Sequence, residues 1–370
     1  MSKERIKQLV NKTVLTDEEI KEFTELLRKE YPSKYWAVAD EVLAPYLELS
    51  AQEEDDLDEY LKDMGAEGET FKAPQYANMK LLKTQNSKLC MEEIEPALIG
   101  QFAIEERGLD ENGEITCKPK VLGKEVKCLP VMKIPYIGVR IEKGETAKVY
   151  RVFPKAEELE QPFKFIEKVS SKVSRLLEKN AHLIDNFKVR KSAFLFLLTK
   201  AEGDKLPKLY RLDLSPVDSV RISEFERKLR QMTGVRGFAA VFKTGKRPYL
   251  KSVRVDINGN RVIAAALDLS QEQLRDPRDW KVILLPIIAA LKNWTEKMPH
   301  EFTLPMLEAD LGEEGSGESV VETPSNTGTP ETSAAPAPAA AAPAASIEEP
   351  PADDDLSGSI DEEDFSDIDF

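Results

Sequence analysis

After Leu311 the chain loses the means to build a core. Residues 312–352 run through Gly, Ser, Thr and Glu into APAPAAAAPAA, with almost no apolar side chain to bury. Such a composition cannot offset the entropy of ordering and stays a linker. Whatever folds must lie within the first 311 residues, ample for one or two domains. As a flexible coil, 41 linker residues span roughly 35–40 Å root-mean-square, and more where proline stiffens them.

The net charge of −15 hides a segregation. Residues 1–70 hold 9 bases and 19 acids; residues 308–370 hold no base and 18 acids. Between them, residues 71–307 hold 43 bases and 30 acids, a net of +13. A cationic centre between anionic ends suits a polyanionic partner. The plainer alternative is a solvated surface with an arbitrary excess of base.

Three cysteines (Cys90, Cys117, Cys128) and two histidines (His182, His300) make no disulfide framework, and so sparse a set fits a reducing compartment. Cys117 and Cys128 could pair or share a metal, but without a CxxC or a neighbouring histidine nothing marks a zinc site; they are read as ordinary residues. The best apolar run, Val282–Leu291, is interrupted by Pro286, too short to span a bilayer, and no signal-peptide core opens the chain. The expectation is a soluble protein of the cytoplasm, in a bacterial cell or a virus-infected host.

Thr16 followed by Glu19 forms a capping box ahead of Ile20, Phe23, Leu26 and Leu27, which continue at helical spacing. Further helices are predicted near Lys34–Leu49 and within Glu53–Met64. Residues 1–70 thus read as an acidic helical segment, either a packing appendage or a surface for oligomerisation or partner contact. From about Phe71 the texture changes. Strands are predicted at Leu129–Ile141, Lys148–Phe153, Ala193–Thr199, Leu209–Leu214, Phe238–Lys243, Tyr249–Ile257 and Arg261–Leu267. Asn258-Gly259 fits a type I′ turn joining the last two, and Gly245 turns the chain before them. Helices are predicted at Pro162–Lys179, Val220–Gln231 and Ser270–Lys297, the last with a Ser270/Gln273 box and a restart at Pro277. Strand pairs alternating with helices argue for α+β: an antiparallel sheet with interspersed helices, in the form of an OB-like barrel, over residues 71–311.

The densest basic stretch runs from Arg236 to Arg261. It holds Arg236, Lys243, Lys246, Arg247, Lys251, Arg254 and Arg261 against one acid, Asp256, with Phe238, Phe242 and Tyr249 interleaved. Single-stranded nucleic acid is bound by such mixtures, bases stacking on rings while cations track phosphates. Tyr249 and Lys251 are two apart on a strand and share a face; Phe238 and Phe242 are at least as well suited to a core. A second patch is Lys188, Arg190 and Lys191 after Phe187. A third is the loop carrying Lys118, Lys120, Lys124 and Lys127. The helix Pro162–Lys179 carries Lys164, Lys168, Lys172, Arg175 and Lys179 in one stripe, which serves either solvation or a phosphate contact.

Catalytic signatures are wanting. There is no GxxxxGK[ST], no Rossmann glycine pattern and no histidine-rich cluster, so neither cofactor nor metal is expected. Glu226-Arg227-Lys228 matches the E-x-K of metal-dependent nucleases, but on a predicted helix instead of adjacent strands.

The chain closes with DDDLSGSIDEEDFSDIDF, nine carboxylates and no base, with Phe365, Ile368 and Phe370 among its apolar residues. A ring can enter a small pocket while a basic rim grips the acids. With its disordered linker and the closing Asp367-Ile368-Asp369-Phe370, this arrangement resembles the bacterial and bacteriophage single-stranded DNA-binding proteins, though Asp369 stands where the usual bacterial tip has proline. The resemblance covers the tail and the layout. It implies that Phe365, Asp367, Ile368, Asp369 and Phe370 recruit replication or repair enzymes, and that the tail competes with DNA for a basic groove. A lesser resemblance, to ribosomal stalk proteins with an Ala-rich hinge and an acidic tip, implies a scaffold instead.

The expected function is therefore a non-enzymatic single-stranded DNA-binding protein of replication, recombination or repair, viral sources included, with no membrane partner and with homo-oligomerisation left open. The alternatives are a protein-interaction scaffold and a DNA-acting nuclease.

Overall fold

A computed structural model describes residues 2–47 and 77–307, apart from 85, 86, 91, 110–114, 145 and 258. The helix predicted within Glu53–Met64, the linker, and the acidic tip with Phe365, Asp367, Ile368, Asp369 and Phe370 lie outside the described residues.

Three helices open the chain: α1 (Ser2–Val10), α2 (Asp17–Glu30) and α3 (Trp36–Leu47). The capping box starts α2 as read: Thr16 Oγ1 accepts from the Glu19 N–H, and the Glu19 carboxylate accepts from the Thr16 N–H. Eleven strands follow: β1 (Ala77–Leu81), β2 (Lys88–Leu89), β3 (Glu92–Glu93), β4 (Phe102–Leu109), β5 (Ile115–Gly123), β6 (Glu125–Lys143), β7 (Thr146–Val152), β8 (Asn186–Thr199), β9 (Lys208–Leu214), β10 (Lys246–Ile257) and β11 (Asn260–Gln273). Helices α4 (Pro162–Lys179), α5 (Pro216–Thr233) and the short α6 (Ala240–Thr244) interrupt them, and α7 (Pro277–Glu296) follows β11.

Nine strands make one sheet in the order β11-β10-β6-β8-β9-β1-β4-β5, with β7 also on β6; β2 and β3 form a separate hairpin. Among the described residues only β1 and β9 run parallel. The sheet curls into a half-barrel, as the start of β6 leaves β8 to pair with β10. The α+β class and the mostly antiparallel sheet are as expected. Its centre is β8, buried continuously from Ser192 to Thr199, because both of its faces are covered. Helix α5 lies on one face, where Lys133 of β6 donates to Ser223 (2.8 Å) and pairs with Glu226. On the other, the Trp294 ring of α7 meets Phe194 and Phe196 at 6.4 and 5.9 Å. A central strand covered twice reads as an unbroken apolar run, here AFLFLL.

The N-terminal helices share this core. Ile6, Ile20, Phe23 and Leu43 belong to the same buried cluster as Phe102, Phe196 and Tyr210. Asp17 accepts from Asn293 (2.6 Å) and Lys297 (3.1 Å), Ser33 donates to Asp279 (2.6 Å), and Tyr35 stacks on Trp280 at 4.7 Å.

Four expectations are corrected. Phe238–Lys243 is no strand. Phe238, Ala240 and Val241 are buried at helical spacing, and Gly237 and Gly245 (φ +66° and +61°) bracket the short helix α6. Ser270–Lys297 is no single helix either. Its first residues complete β11, with Gln273 opposite Lys246, and α7 begins only at Pro277, so the Ser270/Gln273 box never forms. The basic loop of Lys118, Lys120, Lys124 and Lys127 is strand β5, a bend at Lys124, and the start of β6. Finally, Cys117 pairs with Cys90 and not with Cys128: a disulfide joins Cys90 to Cys117 with Cα atoms 5.5 Å apart, and Cys128 is a buried free thiol. Strands β1, β4 and β5 were not anticipated at all. Among the described residues no helix is long and apolar enough to cross a membrane.

Candidate nucleic-acid interface

Strand β6, 19 residues long, decides how the basic residues are shared out. Its first residues pair with β10, placing Tyr249 opposite Lys127; its last pair with β7 and β8, placing Lys188 opposite Arg140. The thirteen residue steps from Lys127 to Arg140 correspond to about 40 Å of extended strand. The two patches read from sequence therefore stand at opposite ends of the sheet.

At the near end much of the charge is already answered. Tyr249 and Lys251 share a face as expected, but both are half-buried, and the Lys251 ammonium lies 2.7 Å from Asp268 and 5.7 Å from the Tyr249 ring centre. The hydrogen bond to Asp268 raises the Lys251 pKa against the opposing effect of burial. Lys228 reaches the same carboxylate at 3.4 Å. Arg247 and Lys127 share Glu272, at 3.7 and 2.6 Å. Lys243, Arg254 and Arg261 are exposed and Lys246 half-buried, none in an ion pair among the described residues; Arg236 is exposed beyond α5. Phe238 is core, and Phe242 packs partly buried against it.

The far end is arranged differently. Alternation along β8 turns Phe187 and Val189 into the cluster under α4 and Lys188 and Arg190 to the opposite face, both exposed; Lys191 emerges on the α4 side. Arg190 and Arg151 of β7 both face Gly138 of β6 across their ladders. With no side chain at Gly138, a trough runs between two arginines, bounded by Tyr136: a Cβ on Gly138 would stand 3.5 Å from the Tyr136 ring and 3.9 Å from Arg190 Cβ. Arg140 continues the row beside Lys188 and pairs with Glu142 at 2.9 Å. The Arg151 guanidinium lies 5.7 Å from the Tyr136 ring and 5.8 Å from Phe194, and Arg211 lies 4.5 Å from Phe194. Tyr136 donates to Asp213 at 2.7 Å; burial, then the Asp213 charge, push its pKa up to about 12. A cleft of about 360 Å³ opens beside them, lined by Arg151, Arg211, Phe194, Trp294 and Met298 among others.

Guanidinium planes held over rings, with ammonium groups alongside, can take stacked bases and phosphates together. Arg140, Arg151, Arg211 and Tyr136 were not singled out from the sequence. Arg140, Arg151 and Tyr136 lie in stretches read as strands, where alternation puts Arg140 and Tyr136 on one face, but only the β6–β7–β8 pairing brings Arg151 and Arg190 to that face.

The α4 stripe is also real: Lys164, Lys168, Lys172, Arg175 and Lys179 are all exposed, on the face opposite Arg190. Its pairs, Lys168–Glu158 at 3.7 Å and Lys172–Glu301 at 3.5 Å, are solvent-exposed and weak. Glu226 and Lys228 lie on α5, each in an ion pair with another element, which gives the E-x-K match a packing role. No protein-family model, curated protein or solved structure matches the chain.

Proposed function

We propose that this protein binds single-stranded DNA without catalysing a reaction, in replication, recombination or repair, and that its acidic tip recruits partner enzymes. One observation carries the reading: Arg140, Lys188, Arg190 and Arg151 share one exposed face at the far end of the sheet, with the Arg151 guanidinium held over the buried Tyr136 and Phe194 rings. Phosphates would follow the cations while bases stack on the exposed guanidinium planes, the Tyr136 and Phe194 rings lying buried beneath them. The curled sheet would then serve as an OB-like barrel does, by offering a strand surface lined with cations. The near-end residues Lys243, Lys246, Arg254 and Arg261 would extend the track, and Tyr249, Lys251, Arg247 and Arg236 would support it. Residues 353–370 carry nine acids, and tethered at high effective concentration they would compete with the strand for the same cations.

The test is a titration of labelled oligo-dT with the full chain at several salt concentrations, against duplex and RNA competitors. Binding should weaken with a log–log slope of about −0.7 per phosphate neutralised. Arg190→Ala should make that slope shallower without changing the denaturation midpoint, whereas Tyr249→Ala should mainly lower stability. Removing residues 353–370 should tighten binding at low salt, and Phe370→Ala should abolish enzyme recruitment while leaving DNA affinity intact. A slope near zero, or preference for an acidic protein over oligo-dT, would replace this reading with that of an interaction scaffold.

A further inference from the structure

Three metal-capable donors converge where the β2–β3 hairpin meets the sheet. Cys90 sits at the hairpin turn, Glu105 on β4 and Cys117 on β5. Glu105 faces Pro119 across the ladder and Cys117 faces Arg107, so Glu105 and Cys117 are diagonal neighbours on one face. The two Sγ atoms and a Glu105 carboxylate oxygen all lie within 4.8 Å of one another. Cys90 holds φ +51°, a left-handed conformation uncommon outside glycine,, and its N–H donates to Glu105 Oε1 at 2.8 Å. The turn is thereby fixed with its sulfur against the carboxylate.

Glu105 is the unexpected member. Its side chain is 3% exposed, yet a disulfide needs no carboxylate beside it, and burying an ionised carboxylate is costly unless it is partnered. Lys80 Nζ stands 2.6 Å from the same oxygen. Two thiolates and a carboxylate are a donor set for a borderline-soft divalent cation. Around zinc they would leave one net negative charge, which the Lys80 ammonium balances. Zinc–sulfur bonds of about 2.3 Å and zinc–oxygen bonds of about 2.0–2.2 Å set ligand atoms about 3.6–3.8 Å apart in a tetrahedron. The donors reach that spacing once the sulfurs separate and the turn shifts slightly. Both cysteines are partly exposed, open to reductant and ion alike.

We propose that the reduced form of this cluster binds one zinc-class divalent cation through Cys90 Sγ, Cys117 Sγ and a carboxylate oxygen of Glu105, with water as the fourth ligand. The disulfide excludes the ion, since its sulfurs carry no thiolate charge. Opening it consumes two molecules of a thiol reductant: the Cys90–Cys117 bond breaks, two electrons and two protons pass to the sulfurs, and the reductant leaves as its own disulfide. The cation then displaces both thiol protons. Covalent bond and metal are alternative ties between the hairpin and the β4–β5 edge. Cys128, buried in β6, takes no part.

The experiment reduces the full-length protein with a phosphine, removes the reductant without air, and titrates with Co²⁺ as a spectroscopic substitute for Zn²⁺. One Co²⁺ per chain should bind, with a thiolate-to-cobalt charge-transfer band that Zn²⁺ abolishes and that the oxidised protein never shows. Cys90→Ser and Cys117→Ser should each weaken binding by at least about tenfold, with folding checked by far-ultraviolet circular dichroism; Glu105→Gln should weaken binding yet keep the band; Cys128→Ser should match wild type. A second readout needs no variant: Zn²⁺ should slow alkylation of Cys90 and Cys117 in the reduced wild type, followed by mass spectrometry. Absence of the band in reduced wild type, a wild-type titration by Cys117→Ser, or alkylation unaffected by Zn²⁺ would each overturn the site.

Discussion

Lys251 and Arg190 look alike in the sequence, basic residues with aromatic residues nearby, and the fold treats them oppositely. Asp268, seventeen residues beyond Lys251, returns across the hairpin to hold its ammonium; Arg190 instead faces Gly138, with Arg151 on that glycine's other side. Nothing local to either residue announces its partner. Burial also produces a titration signature invisible in the sequence. Cys128 is 5% exposed, and burial raises its thiol pKa from 9.0 to about 12. A folded-state value above the unfolded one contributes stability that is complete below the unfolded value and is lost as pH rises through the folded one. Stability should therefore fall from about pH 9 to 12, with Tyr136 adding the same sign above its ordinary 10.0. Lys292, lowered by burial, acts in the opposite sense, so the informative quantity is a difference. Urea melts between about pH 8 and 10 should show a smaller alkaline loss for Cys128→Ser than for wild type, and identical slopes would refute the assignment.

Elements followed the sequence where a local signal was complete. The Thr16/Glu19 box and the Pro162–Lys179 amphipathic pattern each name their own structure, the hairpin expected after Ile257 pairs Ile257 with Asn260, and α4 occupies its predicted bounds. Strands β1, β4 and β5 escaped notice because their residues mix charge with apolar groups, and only pairing with β9 and with one another makes them strands. Ser270–Gln273 carries a helix-start pattern but finds a ready ladder on β10, whose hydrogen bonds outweigh a weak local preference. The hairpin depends on Gly259 at φ +81° with open space around it. A Cβ there clashes with its own backbone and no neighbour, so Gly259→Ala should cost about 1 kcal/mol, read as a lower urea midpoint with unchanged spectra. An unchanged midpoint would mean that the turn relaxes freely.

At the scale of the whole molecule, the N-terminal helices and the cationic sheet are not separable units. Ile20, Phe23, Leu27, Val42 and Leu43 lie in one cluster with α7 and the sheet, and Asp17, Ser33 and Tyr35 bond to residues of α7 or its flanks. A chain lacking residues 1–47 would bare that apolar surface. It should aggregate or unfold at lower denaturant, by light scattering and urea melts, and a stable monomer with the wild-type midpoint would contradict the shared core.

The sequence by itself determined the α+β class, the cationic middle between acidic ends, and the helices and turns whose signals span a few residues. Tertiary structure alone decided which bases remain unpaired, which cysteines meet, and that the two basic patches stand about 40 Å apart along one strand. The division is physical. Caps, turns and amphipathic periodicity arise from neighbours within a helical turn or two. Ion pairs, disulfides and cross-strand rows join residues tens to hundreds of positions apart, and only the path of β6 through the sheet brings them together.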